Sequence, residues 1–351
     1  MKKKHTILLT GVGAPGVQGT LYSLREIGGT IIGTDADESA VGQYLCDEFH
    51  TLPLSSETDS YLTALTKLCE ARQVDAIVPQ NTAELQILAN HKQLFSKLGT
   101  HVLVSNPLSI EQANNKYHLL QVANSLEVPT GEFTVCEDID SLRTQVEQRR
   151  SKGLLTVVKP PCGNGSRGVR VIIDAHDRDR CNDFYHKKPS SLFCTLDELH
   201  AIIGDEFPEL LVMDYLEGEE YTVDILRTDS RFIAIPRKRE VMRCGITFRA
   251  SLERDKQIIE ACRQLSDAID LEYCFGFQFK RNREGIPILL ECNPRIQGTM
   301  VMSAMAGANI IAEAVRALLG EPQHSMQVDW NTRLIRYWGA VGVNESGVAK
   351  I

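Results

Sequence analysis

The sequence predicts an α/β protein whose N-terminal part folds as a parallel sheet covered by helices, and three observations lead there. Short apolar runs alternate with helical stretches between residues 6 and 79, the rhythm of strands joined by crossover helices. The first strand ends in a glycine turn, Gly11-Val12-Gly13-Ala14-Pro15-Gly16, that opens a helix. With 351 residues, 43% hydrophobic and 24% charged, the chain is long enough for two or three packed units.

The elements follow in order. Residues 6–9 read as a strand, 11–19 as a turn opening a helix that runs through Ile27, and 30–34 as a second strand ending at Asp35. Leu62, Leu65 and Leu68 fall at helical spacing within 60–73, and 75–79 is a further buried strand. Asn106-Pro107 marks a break, after which one helix is expected over 109–126, carrying Lys116. A new strand and helix follow at 133–135 and 139–149, and the strand 154–159 delivers a glycine-rich loop. The polar stretch 174–191 reads as a solvated loop or surface helix. Residues 210–215 and 219–226 are strands, and 275–280 and 286–293 form a hairpin around Asn282-Arg283-Glu284-Gly285. A long helix over 299–319 closes the region, with Met300, Met302 and Met305 expected in its core. The division drawn from this pass is 1–108, 109–210 and 211–351.

Composition excludes several function classes. A net charge of −8 speaks against a general nucleic-acid surface, and no run reaches the roughly 20 consecutive apolar residues of a membrane helix. Ten cysteines are scattered without a CxxC pair or a His/Cys grouping at zinc spacing, so reduced thiols in a cytoplasmic protein are the simpler reading. Small molecules are the expected partners.

Three stretches carry chemistry. In Lys159-Pro160-Pro161-Cys162-Gly163-Asn164-Gly165-Ser166-Arg167-Gly168, glycines free the backbone amides to approach several phosphate oxygens beside a cation. In the hairpin, period-two alternation puts Gln278 on a face with Gly276 and Lys280, and Glu291 on a face with Asn293. Such oxygen donors suit Mg²⁺, with Arg295 placed to meet a phosphate; the alternative is a solvated sheet face, although 286–290 read as buried. Arg237, Arg239, Arg243 and Arg249 crowd one region of an acidic chain, which suggests an anion site or a basic surface. The turn from Gly11 to Gly16, with Asp35 downstream, fits either a dinucleotide fingerprint or tight strand–helix packing.

Taken in order, Lys116, the strand ending at Lys159 with its glycine loop, Met213-Asp214-Tyr215-Leu216-Glu217-Gly218-Glu219-Glu220, Gln278, and Glu291-Cys292-Asn293-Pro294-Arg295 resemble the ATP-grasp superfamily over nearly the whole chain, most closely its carbamoyl-phosphate-synthase-like branch. The resemblance implies an ATP-grasp fold behind a Rossmann-like N-terminal domain. It also implies that Lys116 and Lys159 reach ATP phosphates and that the loop holding Gly163, Gly165, Ser166 and Gly168 closes over them. Main-chain groups around Met213, Tyr215 and Leu216 would hold adenine, and Glu220 the ribose. Gln278, Glu291 and Asn293 would hold one or two Mg²⁺ ions, and Arg295, with Lys159, would stabilise the transferring phosphoryl group. Many relatives carry an acid where this chain has Gln278, and the chain is too short for a complete carbamoyl-phosphate synthase.

The function expected is an ATP-dependent carboxylate–amine or carboxylate–thiol ligase that forms an acyl phosphate and releases ADP and phosphate; a homodimer is common among such enzymes. An NAD(P)-linked oxidoreductase using the N-terminal turn, or a nucleotide sensor without turnover, are the competing readings. The first of these leaves Lys159 and Glu291 without a role.

Overall fold

The computed structural model describes residues 4–163, 165–174, 176, 192–243, 245–337, 339–345 and 347–350. The chain divides into two compact units. The first is Met1–Ala113, Glu220–Gln278 and Cys292–Ile351; the second is Asn114–Glu219 and Phe279–Glu291.

The first unit begins with five parallel strands, β1 (His5–Thr10), β2 (Gly29–Asp35), β3 (Glu48–Thr51), β4 (Ala76–Val78) and β5 (His101–Val102), in the order β3-β2-β1-β4-β5. Both faces are covered: Ile7 and Leu9 join one apolar cluster, and Leu8 between them joins another. This is why the strands read as continuous apolar runs rather than alternating ones. Helices α1 (Val17–Leu24), α2 (Thr58–Arg72), α3 (Thr82–Asn90) and α4 (Lys92–Ser96) connect them. The strand order reverses between β1 and β4, and in open parallel sheets the carboxyl ends at that reversal are where functional residues collect.

Helix α5 (Pro107–Asn114) ends one residue before α6 (Lys116–Ser125), so the single helix expected over 109–126 is two. The break is chemical: the Asn115 side chain accepts from the amides of Tyr117 and His118, capping a new helix that begins at Lys116. The second unit then builds β6 (Phe133–Asp138), α7 (Ile139–Ser151), β7 (Thr156–Lys159), β8 (Arg170–Ile172), β9 (Phe193–Cys194), α8 (Leu196–Ile203) and β10 (Glu206–Asp214). Its sheet runs β6-β10-β7-β8-β9 around Leu142, Val158, Ile172, Leu199 and Val212. Of the polar stretch 174–191, only Asp174 and His176 fall among the described residues.

The remainder forms a sheet ordered β15-β14-β11-β12-β13-β16, made of β11 (Glu220–Thr228), β12 (Arg231–Arg243), β13 (Ile246–Leu252), β14 (Tyr273–Arg281), β15 (Pro287–Asn293) and β16 (Arg333–Ile335). Strands β14 and β15 run from one unit into the other. Helix α9 (Lys256–Ile269) buries Ile258, Cys262, Leu265 and Ile269. The long helix expected over 299–319 is interrupted into α10 (Val301–Met305) and α11 (Ile310–Leu318). Gly307 between them takes φ +87°, which ends a helix readily only without a Cβ. Met300 and Met302 lie in the core as expected, while Met305, beside the break, is exposed. Ile286, expected to be buried, is also exposed at the hairpin turn. A hairpin of β17 (Val341–Asn344) and β18 (Gly347–Lys350) completes the described chain, and no described helix is long and apolar enough to cross a membrane.

Candidate active site

Within the second unit, four predicted site residues, Lys116, Lys159, Gly163 and Glu291, are brought together. Lys159 is the last residue of β7, paired with Leu211 of β10, and its buried ammonium donates to the Leu290 carbonyl at 3.2 Å. Lys116, the first residue of α6, is equally buried; its Nζ donates to the Gly163 carbonyl at 2.7 Å and lies 3.7 Å from the Glu291 carboxylate. The amide of Lys116 donates to the Pro161 carbonyl at 2.9 Å, tying the start of α6 to the glycine loop. Two ammonium groups from separate elements thus reach neighbouring residues of β15. Their stems are buried and their heads meet a main-chain carbonyl or a carboxylate, so both polar ends have partners.

The loop itself is exposed and left-handed. Gly163, Gly165 and Gly168 have φ of +126°, +64° and +73°, and Ser166 joins them at +59°. A Cβ on Gly168 would come within 2.7 Å of the Pro160 ring. Asn164 lies outside the described residues. Beside this, Met213 is buried in β10 and Tyr215 donates its amide to Leu155. The Tyr215 ring carries the Lys280 ammonium 5.1 Å from its centroid and meets the Phe193 ring edge-on. Leu216 follows, half-buried.

The first unit holds the remaining predicted residues. Gln278 is half-buried between the fully buried Phe277 and Phe279, so the alternation expected of this strand is present. Asn293 is half-buried at the end of β15, and its Oδ1 accepts from Arg295 Nη2 at 3.4 Å. Arg295 also donates through Nη1 to the Ile296 carbonyl and through Nε to the Thr82 hydroxyl, both at 2.9 Å. Of the oxygen-donor set, Gln278 and Asn293 belong to this unit and Glu291 to the other. Amide oxygens and carboxylates are each donors that Mg²⁺ accepts.

The arginines do not act as one cluster. Arg237 is fully buried and clasps Asp224, with Nη2 at 2.8 Å and Nε at 3.3 Å, while Ser303 also donates to that carboxylate at 2.9 Å. Arg239 pairs with Glu220 and donates to Thr247 and the Gly245 carbonyl. Arg243 is exposed, lying over the Phe248 ring at 4.8 Å, and Arg249 is exposed on β13. Register shifts between Arg239, Val241 and Met242 break the period-two pattern, which is why Arg239 and Arg243, four apart, do not share an environment.

Four residues that the sequence reading passed over belong here. Asp224 and Thr82 receive arginine hydrogen bonds. The Nε2 of Gln297 is buried without a partner among the described residues, as is Nη1 of Arg237. Arg336 donates to the Gly298 carbonyl at 2.7 Å, and burial, followed by the charge of Arg237, holds its guanidinium below the ordinary range. The spacing of Gln297 two residues after Arg295 was a legible signal; Arg336 had none.

The N-terminal turn has a plain structural use. A Cβ on Gly16 would lie 2.5 Å from the Gly298 Cα, so the two glycines permit close backbone approach. The Asp35 carboxylate accepts from the amides of Gly13 at 2.7 Å and Asp37 at 3.0 Å, holding its own turn.

Comparison with known proteins gives two family matches. Residues 206–337 match a family described as ATP-grasp in the biosynthetic pathway with Ter operon, and residues 7–103 match the PylC-like N-terminal domain. An uncharacterised protein of Sinorhizobium fredii is 26% identical over 229 residues, covering 62% of this chain and 44% of that protein. The 3-methyl-D-ornithine–L-lysine ligase of Methanosarcina barkeri is 24% identical over 232 residues, covering 66% and 50%. The chain therefore spans about half the length of these curated relatives. Among solved structures, the N5-carboxyaminoimidazole synthetase of Staphylococcus aureus complexed with ADP superposes with a TM-score of 0.69 at 17% identity, covering 93% of this chain and 81% of that one.

Proposed function

We propose that this chain, whose residues 206–337 match an ATP-grasp family and residues 7–103 the PylC-like N-terminal domain, is an ATP-dependent ligase joining a small-molecule carboxylate to an amine or thiol through an acyl phosphate. The observation that carries the reading is the approach of Lys116 and Lys159 to residues 290–291 beside the left-handed glycine loop. ATP is four negative charges on a chain of oxygens; buried ammonium groups and a loop of accessible amides bind such a group without needing to know its base.

In this reading Lys116 and Lys159 hold the phosphates and the loop with Gly163, Gly165, Ser166 and Gly168 covers them, excluding water from the γ-phosphoryl group. Met213, Tyr215 and Leu216 receive adenine, and Glu220 the ribose. Glu291, Gln278 and Asn293 would hold Mg²⁺, whose chemistry when bound is to neutralise phosphate charge. Arg295 stabilises charge on the transferring group. We assign the acid's carboxylate to the first unit's Arg336 and Gln297. A guanidinium that burial holds below its ordinary range, bonded to the Gly298 carbonyl next to the buried Gln297 amide N–H that has no acceptor among the described residues, forms an environment completed by an anion.

The step balances simply. A carboxylate oxygen bonds to the γ-phosphorus as the β,γ-bridging bond breaks, and ADP leaves. The amine nitrogen then bonds to the acyl carbon, the phosphate leaves, and the nitrogen loses a proton. No protein nucleophile takes part. Incubation with ATP, Mg²⁺, hydroxylamine and a panel of carboxylic acids tests this: ADP and a hydroxamate are expected. AMP and pyrophosphate, or ADP with no hydroxamate from any acid, contradict it.

A further inference from the structure

Arg295 is held by more than its own segment. Its Nη1 and Nη2 bonds go to Ile296 and Asn293, immediate neighbours that move with it. Its Nε bond goes to Thr82, 213 residues away in sequence. Thr82 is the first residue of α3, directly after the cap residue Asn81, whose side chain accepts from the Ala83 amide. That helix starts at the carboxyl end of β4, where the strand order of the N-terminal sheet reverses. The hydroxyl is therefore carried by a capped helix start on a five-stranded sheet, while the guanidinium it receives sits on the turn after β15. Arg295 and Thr82 are both half-buried, where one hydrogen bond is enough to choose among arginine rotamers without anchoring the fold.

We propose that Thr82 is a positioning residue for the ligase reaction, fixing the plane of the Arg295 guanidinium so that it meets charge developing on the transferred phosphoryl group. This rests on the role given to Arg295 above. A guanidinium that must face a transition state within about half an ångström gains from a contact outside its own turn, because neighbouring contacts leave the side chain free to swing with the segment. In this arrangement the N-terminal domain contributes to phosphoryl transfer through Arg295.

The test uses the full chain with Mg²⁺ and two probes that need no acceptor: ADP alone, and ADP with aluminium fluoride as a mimic of the transferring group. Thr82→Val should weaken the fluoride complex about tenfold while leaving ADP affinity within about twofold, and Thr82→Ser should restore it. Arg295→Lys, which removes the Nε donor, should weaken the fluoride complex by itself, and adding Thr82→Val should then change nothing further. If Arg295→Lys weakens the complex and Thr82→Val does not, or if the two losses add, the positioning role is overturned while the reading of Arg295 stands. If Arg295→Lys binds the mimic like the parent, both fall. A merely structural role for Thr82 would lower thermal stability and leave the ratio of the two affinities unchanged.

Discussion

Lys116 and Arg237 are both buried cations, and what surrounds them differs. Arg237 is inside a sheet, clasping a carboxylate that a serine also serves. Lys116 sits where a helix starts beside an exposed loop, with a carbonyl at bonding distance and its carboxylate neighbour at 3.7 Å. The first arrangement is built to satisfy the fold; the second leaves a charge poised for a ligand. Burial alone does not separate a structural cation from a functional one, whereas the closeness of its countercharge does.

The largest expected effect breaks the structural half of that comparison. Asp224→Asn leaves a fully buried guanidinium uncompensated and should cost about 3–5 kcal/mol in urea unfolding; a loss below about 1 kcal/mol would show the pair to be dispensable. Lys116→Met is the converse. Removing this charge should lower ATP turnover by roughly 10²-fold, since it deletes one phosphate contact, yet the stability loss should stay below about 1 kcal/mol because the Glu291 left behind is partly exposed to water. A coupled loss of stability and activity would place Lys116 with Arg237 instead.

Gly16→Val sharpens the account of the N-terminal turn, because the added side chain meets the Gly298 backbone; destabilisation of about 1–3 kcal/mol by thermal or urea unfolding is expected. A smaller effect concerns Glu84, where burial pushes the carboxyl up to about 7 against the lowering effect of the Thr10 hydroxyl. A carboxyl raised on folding favours the folded state fully only below its unfolded pKa near 4.5. That contribution is lost as pH rises towards 7. Glu84→Gln should therefore gain stability relative to the parent between pH 5 and pH 8, by at least about 1 kcal/mol. An unchanged difference would mean that Glu84 titrates as an ordinary carboxylate.

Much of this was readable from residue types. The parallel strands declared themselves because both faces are buried, and the glycine loop because four left-handed residues need glycine or a tolerant polar residue. The breaks at Asn115 and Gly307 were legible in principle as a cap and a terminator, but helical spacing carried across both outweighed them. Arg243 was grouped with Arg239 because bulges shift register without leaving a mark in composition. Thr82, Asp224 and Arg336 were invisible for a different reason: their roles come from partners far away in sequence, which no local pattern encodes.

The central claim is that the acid's own oxygen attacks the terminal phosphate. Once the hydroxamate screen identifies an accepted acid, that acid carrying ¹⁸O in its carboxylate should be incubated with ATP, Mg²⁺ and hydroxylamine, and the products read by ³¹P NMR. The account predicts one ¹⁸O in the released inorganic phosphate and none in ADP; label in AMP, or unlabelled phosphate alongside the hydroxamate, would contradict it.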